Sequence, residues 1–122
     1  MRLRTIGEVE PAVAVNTLVE FCARRDVEAL TREALGPVDV MILFGGSILA
    51  GGELFARAIQ DRVADHFVIV GGQGHSTDAL RDAFRDVLGW DDVADRTEAA
   101  LFDRYLRERH GVQADLLETA ST

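Results

Sequence analysis

Two short apolar runs, each stopped by paired glycines, limit what this chain can fold into. Val40-Met41-Ile42-Leu43-Phe44 ends at Gly45-Gly46-Ser47, and Phe67-Val68-Ile69-Val70 ends at Gly71-Gly72-Gln73-Gly74. Runs that are apolar at every position suit strands covered on both faces, the condition of a parallel sheet. Glycines after such a strand, followed by a helix start, are how α/β proteins bring backbone N–H groups up to a ligand. The two runs therefore predict a small parallel sheet with a ligand site along its carboxyl edge.

The rest of the chain supplies helices. Pro11 to about Arg24 predicts a first helix, with Val15, Leu18, Val19 and Cys22 on one face. Asp26 is expected to cap a second helix over Val27 to Leu35, closed by Gly36-Pro37. The first strand is placed at Val38 to Phe44, opened by a structural Asp39, and the glycine loop after it at Gly45 to Gly52. A helix over Glu53 to Val63 should turn Leu54, Phe55, Ala58 and Ile59 inward. After the second strand, Phe67 to Val70, the segment Ser76 to Leu88 carries the strongest helical stripe: Leu80, Ala83, Phe84, Val87 and Leu88. Gly89-Trp90 ends it. Thr97 to His110 predicts a further helix with Leu101, Tyr105 and Leu106 as its core side and Gly111 as its stop. Val112 to Glu118 reads as a third strand or its approach.

This order predicts an α/β, Rossmann-like three-layer fold with right-handed crossovers and a parallel sheet, half of a doubly wound domain. Residues 1–122 make one domain, with 1–10 as an N-terminal extension. Three parallel strands leave an apolar edge open to water. The chain is therefore expected to be incomplete, or to pair with a second copy or a complementing half.

Composition excludes several classes. Net charge is −8, with 21 acids against 13 Lys plus Arg and no basic run, so nucleic-acid binding would lack its main electrostatic contribution. The single cysteine, Cys22, rules out an internal disulfide or a cysteine-rich metal site and is expected to be a small buried hydrophobe. No apolar run is long enough to span a bilayer, and the start lacks a secretory core, so a cytoplasmic protein without a membrane partner is expected.

The candidate site lies in the two glycine loops. Gly45, Gly46, Ser47, Gly71, Gly72 and Gly74 allow close approach of backbone to a ligand, and equally well simply end strands. The pattern is neither the dinucleotide fingerprint nor a P-loop, which lacks its lysine here. Ser76 and Thr77 are N-cap candidates whose hydroxyls, with free helix N–H groups, could hold a carboxylate or phosphate; Asp78 opposes a heavily charged anion. His75 is a weak acid–base candidate, since no nucleophile elbow accompanies it. His66 and His110, at element ends, are read as solvated. Asp95 and Glu98 are spaced as a helix capping box. Glu118, read as the end of the third strand, and Ser121 after it lie where carboxyl-edge sites recruit groups that grip ribose or amines. No metal set is expected.

Four stretches together resemble the bacterial YdcF-like family, a domain of unknown function: VDVMILFGGSIL, VIVGGQGHST, the Arg96-Thr97-Glu98-Ala99 helix start and the final Leu117-Glu118-Thr119-Ala120-Ser121-Thr122. The likeness runs from Pro11 onward and covers the amino-terminal half of that domain; in family members the last motif continues into an asparagine-containing helix and more strands. The resemblance implies a Rossmann-like fold, S-adenosylmethionine as a possible ligand, and Glu98 as a ligand-binding carboxylate. It implies no assigned reaction. Relatives tied to the cell envelope suggest a hydrolase or transferase acting on a phosphorylated precursor as an alternative. A non-catalytic half-domain that assembles through its sheet edge is the other.

Overall fold

The computed structural model describes residues 10–22 and 28–121. The elements run α1 (Pro11–Cys22), α2 (Arg32–Leu35), β1 (Val40–Phe44), α3 (Ala50–Gln60), β2 (His66–Val70), α4 (Thr77–Leu88), α5 (Glu98–His110) and β3 (Leu117–Ala120), with a 3-10 turn over Ala114–Leu116 leading into β3. The sheet is open, all parallel and ordered β1-β2-β3. The expected α/β class with a parallel sheet is what the chain forms.

Strand order decides where the helices go. Parallel strands that advance in one direction, joined by right-handed crossovers, place every connecting helix on the same face. Accordingly α3 and α4 both pack against α5, and α5 packs on β2 and β3. The sheet residues in register on this face, Met41 with Phe67 and Leu117 and Leu43 with Ile69, meet the helices. Phe84 of α4 sits at the centre, stacked on Trp90 at 4.7 Å and edge-on to Phe102 at 6.0 Å. Arg104 lies 4.0 Å over the Trp90 ring and binds Asp92 at 2.7 Å, closing this cluster from outside. That hydrogen bond holds the Asp92 carboxyl below its ordinary range. Of the three expected layers, the described residues form two: Val40, Ile42 and Phe44 remain 46%, 46% and 72% exposed on the opposite face.

Several boundaries differ from expectation for physical reasons. α3 begins at Ala50, so Gly51 and Gly52 are helical and not loop. The reason is packing: a Cβ on Gly52 would lie 2.9 Å from Phe102 Cδ1 and 3.1 Å from Tyr105 Cδ1. Leu54 points outward at 54% exposure, and Val87 of the α4 stripe is 66% exposed, since α4 packs chiefly on α5 among the described elements. Val15, Leu18 and Val19 of α1 are likewise more than half exposed. The α2 helix is a single turn capped by Thr31, whose hydroxyl accepts from Ala34 N; Asp26 lies outside the described residues, as does the Cys22 side chain. β3 starts at Leu117, since residues 114–116 turn tightly. His110 is half-buried, not freely solvated: its Nε2 lies 3.1 Å from the Tyr105 hydroxyl.

Two outcomes follow from this packing. Gly51→Ala, whose Cβ would meet only Leu43 Cδ1 at 3.7 Å, should raise stability by about 0.5–1 kcal/mol in urea unfolding. Gly52→Ala should lower it by about 1–3 kcal/mol. Tyr105, the only tyrosine, has its phenol pushed above its ordinary 10.0, chiefly by burial and secondarily by Glu53. Burial favours the neutral phenol, so this contribution to stability is intact below pH 10.0 and fades as pH rises through the folded-state value. Ultraviolet titration of the phenolate in folded and urea-unfolded protein checks the order of the two midpoints.

Candidate functional site

The carboxyl edge of the sheet gathers the β1–α3 loop, the β2–α4 loop, the first turn of α5 and the end of β3. Ladder bonding continues past the strands: Gly45 N donates to Val70 O at 2.7 Å and Gly71 N to Ala120 O at 3.0 Å. The two glycine corners then press together under α5. A Cβ on Gly45 would lie 2.8 Å from Glu98 Cβ and 3.3 Å from Gly71 Cα, and one on Gly71 would lie 3.0 Å from Glu98 Cβ. Only glycine leaves room for the helix there. Gly45 and Gly71 therefore serve packing, and nothing in the geometry requires them to face a ligand.

Glu98 is the hub of this junction. Thr97, not Asp95, is the N-cap of α5: its backbone is extended and its hydroxyl accepts from Ala100 N at 3.1 Å. Asp95 has φ 62 and sits two residues too early, so the expected capping box does not form. Glu98 N donates to Gly72 O at 2.9 Å and Ala99 N to Gly71 O at 3.2 Å, which consumes the free donors at the α5 N-terminus. Thr77, fully buried, accepts from Gly74 N at 2.8 Å and donates to Glu98 Oε2 at 3.3 Å. Arg81 braces the same loops from below, donating to Gln73 Oε1 at 2.9 Å and to Arg96 O at 2.7 Å. Its Nε is buried without a partner among the described residues.

Beside this junction lies an open cleft of about 540 Å³. Phe44, Ile48, Leu54 and Phe102 give it apolar walls; Gly46, Ser47 and Ser76 give it a polar rim. Ser76 occupies the N-cap position of α4 with φ −97 and ψ −3, a backbone from which its side chain makes no cap bond. Its hydroxyl remains available. The α3 N-terminus, capped by no side chain at Leu49, lines the same cleft through Ala50 and Gly51. Glu53 and Asp78, in the first turns of α3 and α4, offset the positive ends of both helices.

Of the sequence candidates, Gly46, Ser47 and Ser76 meet at the cleft. Gly74 and His75 are exposed in the turn before α4, and Gly72 supplies a carbonyl to Glu98. Ser121 lies apart, its hydroxyl 3.0 Å from that of Thr97. Glu118 is inside β3 in register with Val68, two residues short of the strand's end. Among the described residues, no three His, Cys, Asp or Glu side chains converge as a metal site. The apolar walls went unread in the sequence; the aliphatic pair Ile48-Leu49 inside a glycine-rich loop was the available signal.

Against known proteins, no family model matches the chain and no curated protein matches it. No described helix is long and apolar enough to cross a membrane.

The junction makes a sharp test. Gly45→Ala should destabilise by about 1–3 kcal/mol, and adding Glu98→Gly should recover part of that loss. Glu98→Ala, which keeps the offending Cβ, should recover none. A double-mutant cycle in urea reads the difference; equal behaviour of the two Glu98 variants would refute the steric account.

Proposed function

We propose that this chain binds a small nucleotide-like ligand, S-adenosylmethionine foremost, in the cleft between the two glycine loops, with no reaction assigned. The observation that carries the reading is the cleft itself, with apolar walls on one side and, on the other, the Ser47 and Ser76 hydroxyls and an α3 N-terminus that no side chain caps. Flat apolar bases suit walls built from Phe44, Ile48 and Phe102. Ser47, Ser76 and the α3 N-terminus suit a carboxylate or ribose hydroxyl. Electrostatics favour a ligand carrying positive charge: Glu53 and Asp78 flank the helix ends, and the whole chain carries −8. A polyphosphate is poorly matched to that field. The resemblance to the YdcF-like family supports the same ligand class.

A second reading, a half-domain that assembles edge to edge, draws on β1, which pairs only with β2 and leaves its other edge unpaired among the described residues. An envelope-precursor hydrolase has less support, because His75, Glu98 and Glu118 stand on a loop, in a first helical turn and within a strand.

Calorimetric titration distinguishes these. S-adenosylmethionine and S-adenosylhomocysteine should bind, and ATP should bind more weakly than either. Ser76→Ala should weaken the former about 5–10-fold, the loss of one hydrogen bond. No heat from any of these ligands with folded protein would end the proposal, and a dimer by light scattering would favour the assembly reading.

A further inference from the structure

Two unpartnered apolar surfaces stand on this one chain. The first is the sheet face opposite the helices, where Val40, Ile42 and Phe44 of β1 lie beside the half-buried Val68 and Val70 of β2. The crossover geometry bars α3, α4 and α5 from ever reaching it. The second is α1, whose Val13, Val15, Leu18 and Val19 are all more than half exposed and which packs substantially on no other described element. Between Pro11 and Val19 it carries no charged residue. A 12-residue helix is marginal in water on its own, so α1 needs a surface as much as the sheet needs a cover.

We propose that α1 docks across β1 and β2 of its own chain, forming the missing layer on the bare face. The dimensions agree: α1 is about 18 Å long, and the five-residue strands are about 17 Å. Nine residues lie between Cys22 and Arg32, enough to reach roughly 30 Å when extended. The tether also selects the occupant. A helix joined by so short a connection is present at its target at about millimolar effective concentration, well above that of a second copy in dilute solution. Because α1 precedes β1, no crossover rule restricts the face it takes. The face shares Phe44 with the wall of the cleft, but the proposal needs no ligand and is tested on ligand-free protein.

Hydrogen exchange on the full chain tests it. In the docked state the α1 amides should be protected roughly 100-fold beyond an unpacked helix, equally in dilute and concentrated samples, with a monomer mass by light scattering. Ile42→Asp should remove at least ~10-fold of that protection. Should that variant fail to fold, Val15→Asp with Leu18→Asp gives the reciprocal readout, because α1 lies outside the α3–α5 core. This pair should leave the Phe84 and Phe102 region intact while raising dye binding at the bare face. Unprotected α1 amides would overturn the proposal, as would protection indifferent to Ile42→Asp. Protection that grows with concentration alongside a dimer mass would overturn it too, and would assign the face to a second copy.

Discussion

Where β1 and β2 run out, two residues without side chains meet the first turn of α5, and the carboxyl edge is organised around that contact. Glu98 Cβ fills the space that side chains at Gly45 and Gly71 would occupy. The backbone of the same turn is tied by Glu98 N and Ala99 N to the carbonyls of Gly72 and Gly71. Steric fit and hydrogen bonding thus fix one end of α5. From there the helix carries Phe102 into the wall of the cleft and, with Tyr105, against the Cα of Gly52 in α3. The spacing between the β1–α3 loop and α5 is therefore inherited from the glycine corner, and a cleft bounded by both takes its width from it.

Polar groups along this edge divide between those already satisfied and those left over. Thr77 has its hydroxyl saturated by Gly74 N and Glu98 Oε2, and the α5 N-terminus is closed by glycine carbonyls. The α3 N-terminus is closed more loosely, by Ile48 O and Leu49 O at 3.3 and 3.0 Å, and the Ser76 hydroxyl makes no cap bond. Because buried or half-buried polar groups are ordinarily paired, unspent capacity next to apolar walls is what distinguishes the cleft from the tightly bonded junction beside it.

Much of the architecture was legible because its cause is local. Continuous apolar runs and the glycines after them identify β1 and β2, and helical periodicity with Gly89 and Gly111 in the left-handed conformation delimits α4 and α5. What could not be read depends on neighbours distant in sequence. Gly52 looks like a loop residue until Phe102 and Tyr105 demand the absence of a Cβ there. Leu54 and Val87 satisfy a helical pattern yet face outward, because only three-dimensional packing decides which part of a stripe is covered. Asp95 and Glu98 have capping-box spacing, but Thr97 competes for the cap and wins with an extended backbone. The sequence directs attention to the carboxyl edge, where Ser47 and Ser76 line the cleft; the apolar walls of that cleft were missed because an exposed Phe44 looks like strand core in one dimension.

The glycine corner also guards strand alignment. Side chains alternate along a strand, so a one-residue slip of β1 against β2 would exchange its two faces, turning Val40, Ile42 and Phe44 toward the helices. With β1 apolar on both sides, hydrophobicity alone discriminates weakly between the two alignments. A slip would, however, thrust Phe44 or Gly46 into the gap that Gly45 fills beneath Glu98, and the phenylalanine cannot enter it. The missing side chain thus acts as a one-sided key, rejecting the slip that brings Phe44 to this place, a mispairing that the strand's composition would otherwise tolerate.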